Sequence, residues 1–417
     1  MKKFTKFFIL MLTICLSVSM LNGCVIVPIN GGNVDGLSQI NTNVNINIVQ
    51  SGSLQGDSVV DMLEVTRPTV YEVYAQQANS NSVSCGSGTI IADNISTSEN
   101  SNEPVTYFIL TCHHVIDTTD VYMVKDIYGN EFDAQLIGGD AESDIAVICF
   151  TPTLNGYETV EGNPNQYKKG DNTINIAKAN VRLEKNEDGT DSNPVRVGER
   201  VFAIGNPLGT LGGTVTQGII SSCDREINVE GKTMTLIQTD CAINSGNSGG
   251  GLFDVNGSLV GVVNAGYSGD VEGLNFAIPS DDALNIFKQL LSTYTGDNYG
   301  YVKGRANFVL SYGNLVGGAD IAVYEYADFF DRTVYITGVG ATYKNKFQKN
   351  DVIKSVQVPN EKVYAVSSAA SLVNYINSKS YKIGDEIIFK VVRSNQELEV
   401  KITLEQYIYK NTGVYTA

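Results

Sequence analysis

The chain has 417 residues, which is more than one compact domain usually contains, so we expect two or three folded units. Its formal net charge is −16 at pH 7, and because an acidic surface repels phosphate backbones, this charge argues against nucleic-acid binding. The 41 glycines and 22 tyrosines favour sheets joined by tight turns over helix bundles.

The first residues have the pattern of an export signal. Three lysines by position 6 precede an apolar run over 7–20, which is short for a membrane span. The run ends in Leu21-Asn22-Gly23-Cys24, which resembles a bacterial lipobox, where cleavage before the cysteine frees a thiol for diacylglycerol. We predict a lipoprotein signal peptide over 1–23 and lipidation of Cys24, which anchors the chain to the outer face of the bacterial membrane. An ordinary signal peptide or an uncleaved anchor is the alternative.

The next segments run from a polar spacer into strands. Residues 24–57 are rich in Asn, Gly and Ser and predict a flexible tether, and 59–65 predict a short helix that ends before Pro68. Short β-branched runs bounded by turn residues then predict all-β barrels. The expected strands are 69–75, 88–92, 107–110, 145–150, 200–204, 234–239 and 259–264.

The remaining segments divide the chain. Residues 152–195 predict a long polar connection, and the apolar spacing over 280–294 predicts an amphipathic helix that closes a domain over 58–296. Residues 300–417 are again strand-like, with a helical patch near 367–377, and are long enough for a second small domain.

Only two histidines occur, His113 and His114. Histidine is the usual general base near neutral pH, and adjacent residues at a strand end point to opposite faces, so one of the two can serve a given site. A zinc site needs further ligands, but the chain has no other histidine and no Cys-x-x-Cys pair. We therefore predict no metal and no cofactor.

The segment Gly246-Asn247-Ser248-Gly249-Gly250 has the local shape of a nucleophile loop. Its glycines permit a tight turn that exposes the Ser248 hydroxyl and lets the N–H groups of Gly246 and Ser248 converge. Gly246, Asn247 and Ser248 are thus the predicted oxyanion hole. The alternative is an ordinary Gly/Ser turn.

Asp144 precedes the apolar run 145–150, where its carboxylate can be buried against a ring N–H of a histidine. It would then fix the imidazole tautomer and stabilise the imidazolium. The alternative is a simple turn aspartate. The order His114, Asp144, Ser248 is that of chymotrypsin, with room for a hairpin between the first two.

The chain resembles the HtrA (DegP-like) family of trypsin-fold serine proteases from about residue 58 to 294. The stretches that carry this resemblance are 86–91, 110–116, 143–147, 201–209, 239–250 and 273–279. The resemblance implies a chymotrypsin/trypsin-like double β-barrel of two six-stranded barrels, with His114 rather than His113 as the base. It also implies a homotrimer, for which Tyr71 and Tyr74 are the expected contacts. Ser245 stands where the family usually has Pro.

Residues 300–417 resemble the PDZ domain that follows the protease in this family, on the segments 347–353, 383–387 and 391–393. A PDZ domain binds an extended peptide as an added strand. The implied carboxylate-binding loop is Arg305, Ala306, Asn307 and Phe308, which lacks the usual central Gly. A packing domain without a ligand is the alternative.

Together these features predict a serine endopeptidase that degrades misfolded or exported proteins at the bacterial cell surface. Ala242 lies six residues before Ser248, at the base of the expected specificity pocket, and favours cleavage after small aliphatic residues. The main alternative is a chaperone-like or peptide-binding lipoprotein with a vestigial protease site. A structural adhesin has only the β-rich composition in its favour.

The cysteines after Cys24 are odd in number, so buried free thiols are expected, with a Cys85–Cys112 bridge as the alternative.

Overall fold

The structure is a computed structural model. It describes residues 44–49, 58–76, 83–95, 105–117, 119–185, 193–206, 212–229, 232–266, 273–296, 299–306, 308–315, 319–327, 332–377 and 379–406. The predicted signal peptide, Cys24 and Asn307 lie outside these ranges. Among the helices within them, none combines the length and the apolar character needed to cross a membrane.

The first barrel contains six strands. The N-terminal strands are β1 (Asn45–Val49), β2 (Val70–Gln76), β3 (Val83–Asp93), β4 (Tyr107–Cys112), β5 (Val121–Lys125), β6 (Glu131–Asp140) and β7 (Ile145–Phe150). Strands β2 to β7 form the barrel in the order β3-β2-β5-β6-β7-β4, and β4 pairs with β3 to close it. Every residue of β4 and β7 is buried, as expected for strands covered on both faces.

The predicted polar connection over 152–195 contains a sheet of its own, which is a correction. The strands within this connection are β8 (Glu158–Val160), β9 (Asn163–Lys169), β10 (Asn172–Asn175) and β11 (Asn180–Arg182). Strands β8 to β10 form a three-stranded sheet whose side chains are mostly exposed. Tyr167 and Ile174 face inward, and the Tyr167 hydroxyl lies 3.0 Å from that of Tyr107.

The second barrel also closes on itself. Its strands are β12 (Arg200–Gly205), β13 (Thr214–Val229), β14 (Lys232–Thr239), β15 (Gly251–Asp254), β16 (Ser258–Gly266) and β17 (Asn275–Pro279). They follow the order β15-β12-β13-β14-β17-β16, and β15 pairs with β16. The predicted double barrel is therefore confirmed.

Strand β1 lies within the segment predicted as a flexible tether. It pairs with β3 on one side and runs parallel to β11 on the other, and β11 pairs in turn with β16. The tether prediction is wrong for residues 45–49, because this short alternating patch completes a sheet that joins the two barrels.

Four α-helices are described: α1 (Val59–Thr66), α2 (His113–Ile116), α3 (Ser280–Thr293) and α4 (Ala369–Asn377). The predicted helices over 59–65, 280–294 and 367–377 are confirmed to within two residues. One face of α3 is buried, and Phe287 meets Phe108 of β4 edge to face at 6.4 Å. This contact packs α3 against the first barrel.

The C-terminal segment forms a PDZ-like domain with its own core. Its strands are β18 (Arg305–Ala306), β19 (Leu310–Tyr312), β20 (Ile321–Ala327), β21 (Arg332–Val339), β22 (Val352–Gln357), β23 (Tyr364–Ala365), β24 (Tyr381–Lys382), β25 (Glu386–Arg393) and β26 (Gln396–Thr403). The main sheet follows the order β19-β20-β21-β22-β25-β26, with β23 beside β22. Phe308, Phe347 and Phe389 lie at the centre of its apolar core.

One further expectation is corrected, and one alternative is excluded. Tyr71 and Tyr74 are only 2% and 5% exposed within their own chain, so they are not the trimer contacts that were expected. Tyr71 packs against Phe150 in the barrel core, because every position of β2 except the last is buried.

The Cys85–Cys112 bridge is not formed, since Cys112 is a buried free thiol.

Candidate active site

His113 and His114 begin helix α2 rather than end a strand, as had been expected. The two side chains nevertheless diverge. His113 is buried against Gly139, where a Cβ would lie 2.7 Å from its ring Cδ2. The side chain of His114 is 46% exposed. Of the two histidines, His114 is the one that can meet a substrate.

Asp144 is tied to His114 by two hydrogen bonds. The His114 backbone N–H donates to Asp144 Oδ1 at 2.8 Å, and His114 Nδ1 lies 2.7 Å from Oδ2. Asp144 also has a left-handed backbone with φ of +53°, which is uncommon for a residue other than glycine. The backbone geometry thus aims the carboxylate at the imidazole.

The charge state of this pair follows from its surroundings. Burial alone would raise the pKa of Asp144, but hydrogen bonds and charge from His114 outweigh burial and hold that pKa below its usual value. An ionised carboxylate can only accept, so Nδ1 of the neutral His114 ring carries the proton and Nε2 is the basic nitrogen. This tautomer is the one a general base requires.

Ser248 reaches the same pair through Asn264. The Ser248 hydroxyl donates to the Asn264 carbonyl oxygen at 3.0 Å, and the Asn264 side-chain N–H donates to Asp144 Oδ2 at 2.6 Å. Asn264 belongs to β16, while Asp144 precedes β7, so the site lies where the two barrels meet. Asn264 is not recognisable in the sequence as a site residue, because it is one polar residue near the end of an apolar strand.

Ser87 of β3 holds the loop of Ser248 in place. Its N–H donates to the Ser248 carbonyl at 2.8 Å, and its hydroxyl donates to the Gly246 carbonyl at 2.7 Å. Gly249 has φ of +85°, and a Cβ there would lie 2.1 Å from the Ser87 carbonyl oxygen. Only glycine fits this position. The role of Ser87 was also missed, although its motif, 86–91, was identified.

The three predicted oxyanion-hole residues differ in their hydrogen bonding. The N–H of Asn247 donates to the Asn244 carbonyl at 3.0 Å and is therefore already used, so Asn247 is not a third donor. Gly246, with φ of +97°, and Ser248 remain the candidate donors. Ala242 is exposed, and its carbonyl accepts from the Thr216 hydroxyl at 2.9 Å.

Cys112 was not predicted as part of this site. Three side chains could offer ligand atoms to a metal ion, because one such atom from each lies within 4.8 Å of the others: Cys112, His114 and Asp144. However, the Cys112 thiol donates to the Val263 carbonyl at 3.3 Å, and burial raises its pKa well above the usual value. A thiolate ligand is therefore disfavoured, and the arrangement fits acid–base chemistry better than metal binding.

Comparison with known proteins agrees with this geometry. A trypsin-like peptidase domain matches residues 86–262. Serine protease Do-like HtrA of Bacillus subtilis (strain 168) is 30% identical over 370 residues, which are 85% of this chain and 74% of that protein. The chain belongs to the HtrA family.

Other HtrA-type relatives match over the protease part. The probable periplasmic serine protease do/HhoA-like of Haemophilus influenzae is 40% identical over 44% of this chain and 34% of its own length. The probable periplasmic serine endoprotease DegP-like of Rickettsia prowazekii is 38% identical over 50% of this chain and 34% of its own length. This HtrA-family chain is a serine-type endopeptidase.

The predicted carboxylate-binding loop of the PDZ-like domain is engaged with its own chain. Arg305 Nη1 lies 2.6 Å from Glu142 Oε1 in the protease part. Ala306 pairs with Tyr381, and Phe308 is buried in the domain core. The backbone of Arg305 and Ala306 is thus paired with β24, and the Arg305 side chain points to the first barrel.

Proposed function

We propose that Ser248, His114 and Asp144 are the catalytic triad of this HtrA-family endopeptidase. The observation that carries the proposal is the hydrogen-bonded chain from Ser248 through Asn264 to Asp144 and His114. Three residues that lie up to 134 positions apart meet at one interface between barrels, with the tautomer that a base requires. A vestigial site would be expected to lack at least one member.

The reaction follows the acyl-enzyme route. The Ser248 hydroxyl turns from the Asn264 carbonyl, gives its proton to Nε2 of His114 and attacks the peptide carbonyl carbon. The N–H groups of Gly246 and Ser248 hold the oxyanion, and the imidazolium, stabilised by ionised Asp144, protonates the leaving amine. Water then hydrolyses the ester with His114 again as base.

We further propose that the substrates are misfolded or exported polypeptides and that the enzyme acts outside the cytoplasm. Two of the relatives are named periplasmic proteases, which supports an extracytoplasmic site. An export signal over 1–23, a lipid on Cys24 and a tether up to about residue 44 would hold the enzyme at the membrane surface. The domain boundaries 58–296 and 300–417, and a trimer, are part of the same proposal.

Casein turnover by wild type and by Ser248→Ala tests the endopeptidase proposal. Wild type should degrade casein, and Ser248→Ala, which keeps the loop backbone, should lose at least about a thousandfold in rate. Equal turnover by both proteins would instead favour the chaperone-like reading. A peptide library adds the specificity: Ala242 supports cleavage after small aliphatic residues, and cleavage mainly after Lys or Arg would contradict that part.

Peptide binding by the PDZ-like domain is a second candidate function, favoured by one specific observation. The side-chain amide of Asn377, the last residue of α4, donates to the Leu310 carbonyl and accepts from the Leu310 N–H, both at 2.9 Å. An amide side chain thus takes the place that a peptide backbone would take beside β19. An extended peptide would bind there after displacing Asn377.

A further inference from the structure

The C-terminal domain begins against strand β6 of the first barrel. Gly300 forms a parallel bridge with Gly138, and its N–H donates to the Ile137 carbonyl at 2.7 Å. A Cβ on Gly300 would lie 1.9 Å from the Leu290 carbonyl oxygen, and one on Gly138 would lie 2.3 Å from the Gly300 carbonyl oxygen. The two backbones are therefore in direct contact, which fixes where the next residues of the domain start.

Arg305 extends from this joint to two acids of the first barrel. Its Nη1 lies 2.6 Å from Glu142 Oε1, and its Nε lies 3.6 Å from Asp140 Oδ1. The Asp140 side chain is only 4% exposed, so its charge is poorly screened by water. The backbone of Arg305 is held in its own domain, since its carbonyl accepts from Gln406 Nε2 at 3.0 Å. The guanidinium thus connects two domains.

The two acids belong to the hairpin that presents Asp144. Asp140 is the last residue of β6 and pairs with Ile145, the first residue of β7, so residues 141–144 form the connecting loop. Asp140 Oδ2 accepts from the Ser143 N–H at 3.0 Å and from the Ser143 hydroxyl at 2.6 Å. The left-handed backbone of Asp144 persists only if its surroundings hold it. Asp140 and Ser143 supply that support from one side.

We propose that Arg305 is a positioning residue for proteolysis: by pairing with Asp140 and Glu142 it holds the 141–144 loop, and with it Asp144, in the orientation that His114 needs. The inference rests on the proposed role of Asp144 in the triad. It adds to that role a cation from outside the protease barrels.

Arg305 also compensates charge beside the site. The titratable groups at the 140–144 end of this hairpin and in contact with it are Cys112, His113, His114, Asp140, Glu142, Asp144 and Arg305. Without the guanidinium, two carboxylates near Asp144 would lose their partner, and uncompensated negative charge favours the imidazolium form of His114. The acid limb of kcat/KM should then move to higher pH, a change that a merely structural contact would not produce.

The test measures kcat, KM and the acid limb of kcat/KM for the full chain with one protease substrate. The variants form a double-mutant cycle. Arg305→Gln should lower kcat about three- to tenfold with KM within twofold of wild type, and should raise the midpoint of the acid limb by about 0.3 pH unit. Glu142→Gln should lower kcat in the same direction, and the double variant should be no worse than Arg305→Gln. Arg332→Gln is the matched control, since Arg332 forms an exposed 3.5 Å ion pair with Glu325 in the same domain.

Unchanged kcat and acid limb in Arg305→Gln, or losses that multiply in the double variant, would overturn the proposal. If Arg305→Gln does not fold, Glu142→Gln decides: a loss of kcat with the acid limb moved to lower pH, because this variant removes a negative charge and leaves the guanidinium, supports the coupling, and wild-type values refute it. Ser248→Ala, measured in parallel, distinguishes failure of the triad proposal from failure of the Arg305 proposal. Full activity in Ser248→Ala refutes the triad itself, whereas an inactive Ser248→Ala beside a neutral Arg305→Gln refutes only the role of Arg305.

Discussion

Asn264 donates its side-chain N–H to Asp144 across 2.6 Å, although 120 positions separate the two residues in the chain. The carbonyl oxygen of Asn264 meanwhile accepts the hydroxyl proton of Ser248. One buried asparagine of the second barrel therefore contacts the acid supplied by the first barrel and the nucleophile supplied by the second. Neither barrel could align the site without the other.

Asn264→Ala should reduce kcat while leaving the fold intact. The variant removes a hydrogen bond to a charged group, worth about 1.5–3 kcal/mol, which corresponds to roughly a 10- to 100-fold loss. Steady-state kinetics measure it. Asn256→Ala, in the turn between β15 and β16, is the matched control and should match wild type. A kcat within twofold of wild type in Asn264→Ala would show that Asp144 needs no second support.

The pH dependence of kcat/KM should follow the protonation of one group, the imidazole of His114. The pKa of Asp144 is depressed, so its stabilising contribution is present above its unfolded value of about 3.9 and is lost only as pH falls through the lower folded value. Imidazole, with an ordinary pKa of about 6.5, protonates first. Between pH 7 and 5, kcat/KM should fall with unit slope while circular dichroism stays constant. A slope of two, or unfolding over that range, would be inconsistent with His114 as the only titrating base.

Much of this architecture was predictable from apolar patterning. The run over 145–150 is the strand Ile145–Phe150, and the 280–294 spacing became α3, because both elements bury a regular set of side chains. The sheet within 152–195 was missed because its strands are mainly exposed and carry no alternating pattern. In β9 only Tyr167 is buried.

The site was predictable where chemistry restricts residue type and hidden where position alone matters. Two histidines left few choices for the base, and the glycines around Ser248 indicated its turn. Asn264 and Ser87 act through where the folded backbone places them, which a single sequence does not encode locally. The left-handed φ of Asp144 likewise depends on the contact between Asp140 and Ser143 in the turn before β7, which residue type alone does not reveal.

Gly249→Ala should destabilise the nucleophile loop. The new Cβ would meet the Ser87 carbonyl oxygen at 2.1 Å in addition to the unfavourable φ, so the unfolding free energy should fall by about 2–4 kcal/mol with loss of activity. Gly273→Ala is the control, because Gly273 has a similar φ of +79° with nothing within 4 Å of the added Cβ. It should cost about 1 kcal/mol. Equal costs in a denaturant titration would mean that the close approach to Ser87 does not matter.

Asn377→Ala should increase peptide binding by the PDZ-like domain. The variant frees the Leu310 N–H and carbonyl, each worth about 0.5–1.5 kcal/mol net as a hydrogen bond, so the Kd of an apolar C-terminal peptide should fall by at least about fivefold. Fluorescence anisotropy with a labelled peptide measures this. Asn374→Ala, on the exposed face of the same helix, should leave the Kd unchanged. Weaker binding by Asn377→Ala would instead make Asn377 a contact for the ligand.

The most direct test of the triad is covalent labelling at pH 8 with a fluorophosphonate, which reacts only with an activated serine. Wild-type protein should gain one adduct, and peptide mass spectrometry should assign it to Ser248. Ser248→Ala should not react, and His114→Ala should react at least about a hundredfold more slowly because its serine lacks a base. An unlabelled but folded wild-type protein, or an adduct that persists in Ser248→Ala, would contradict the assignment of Ser248 as the nucleophile.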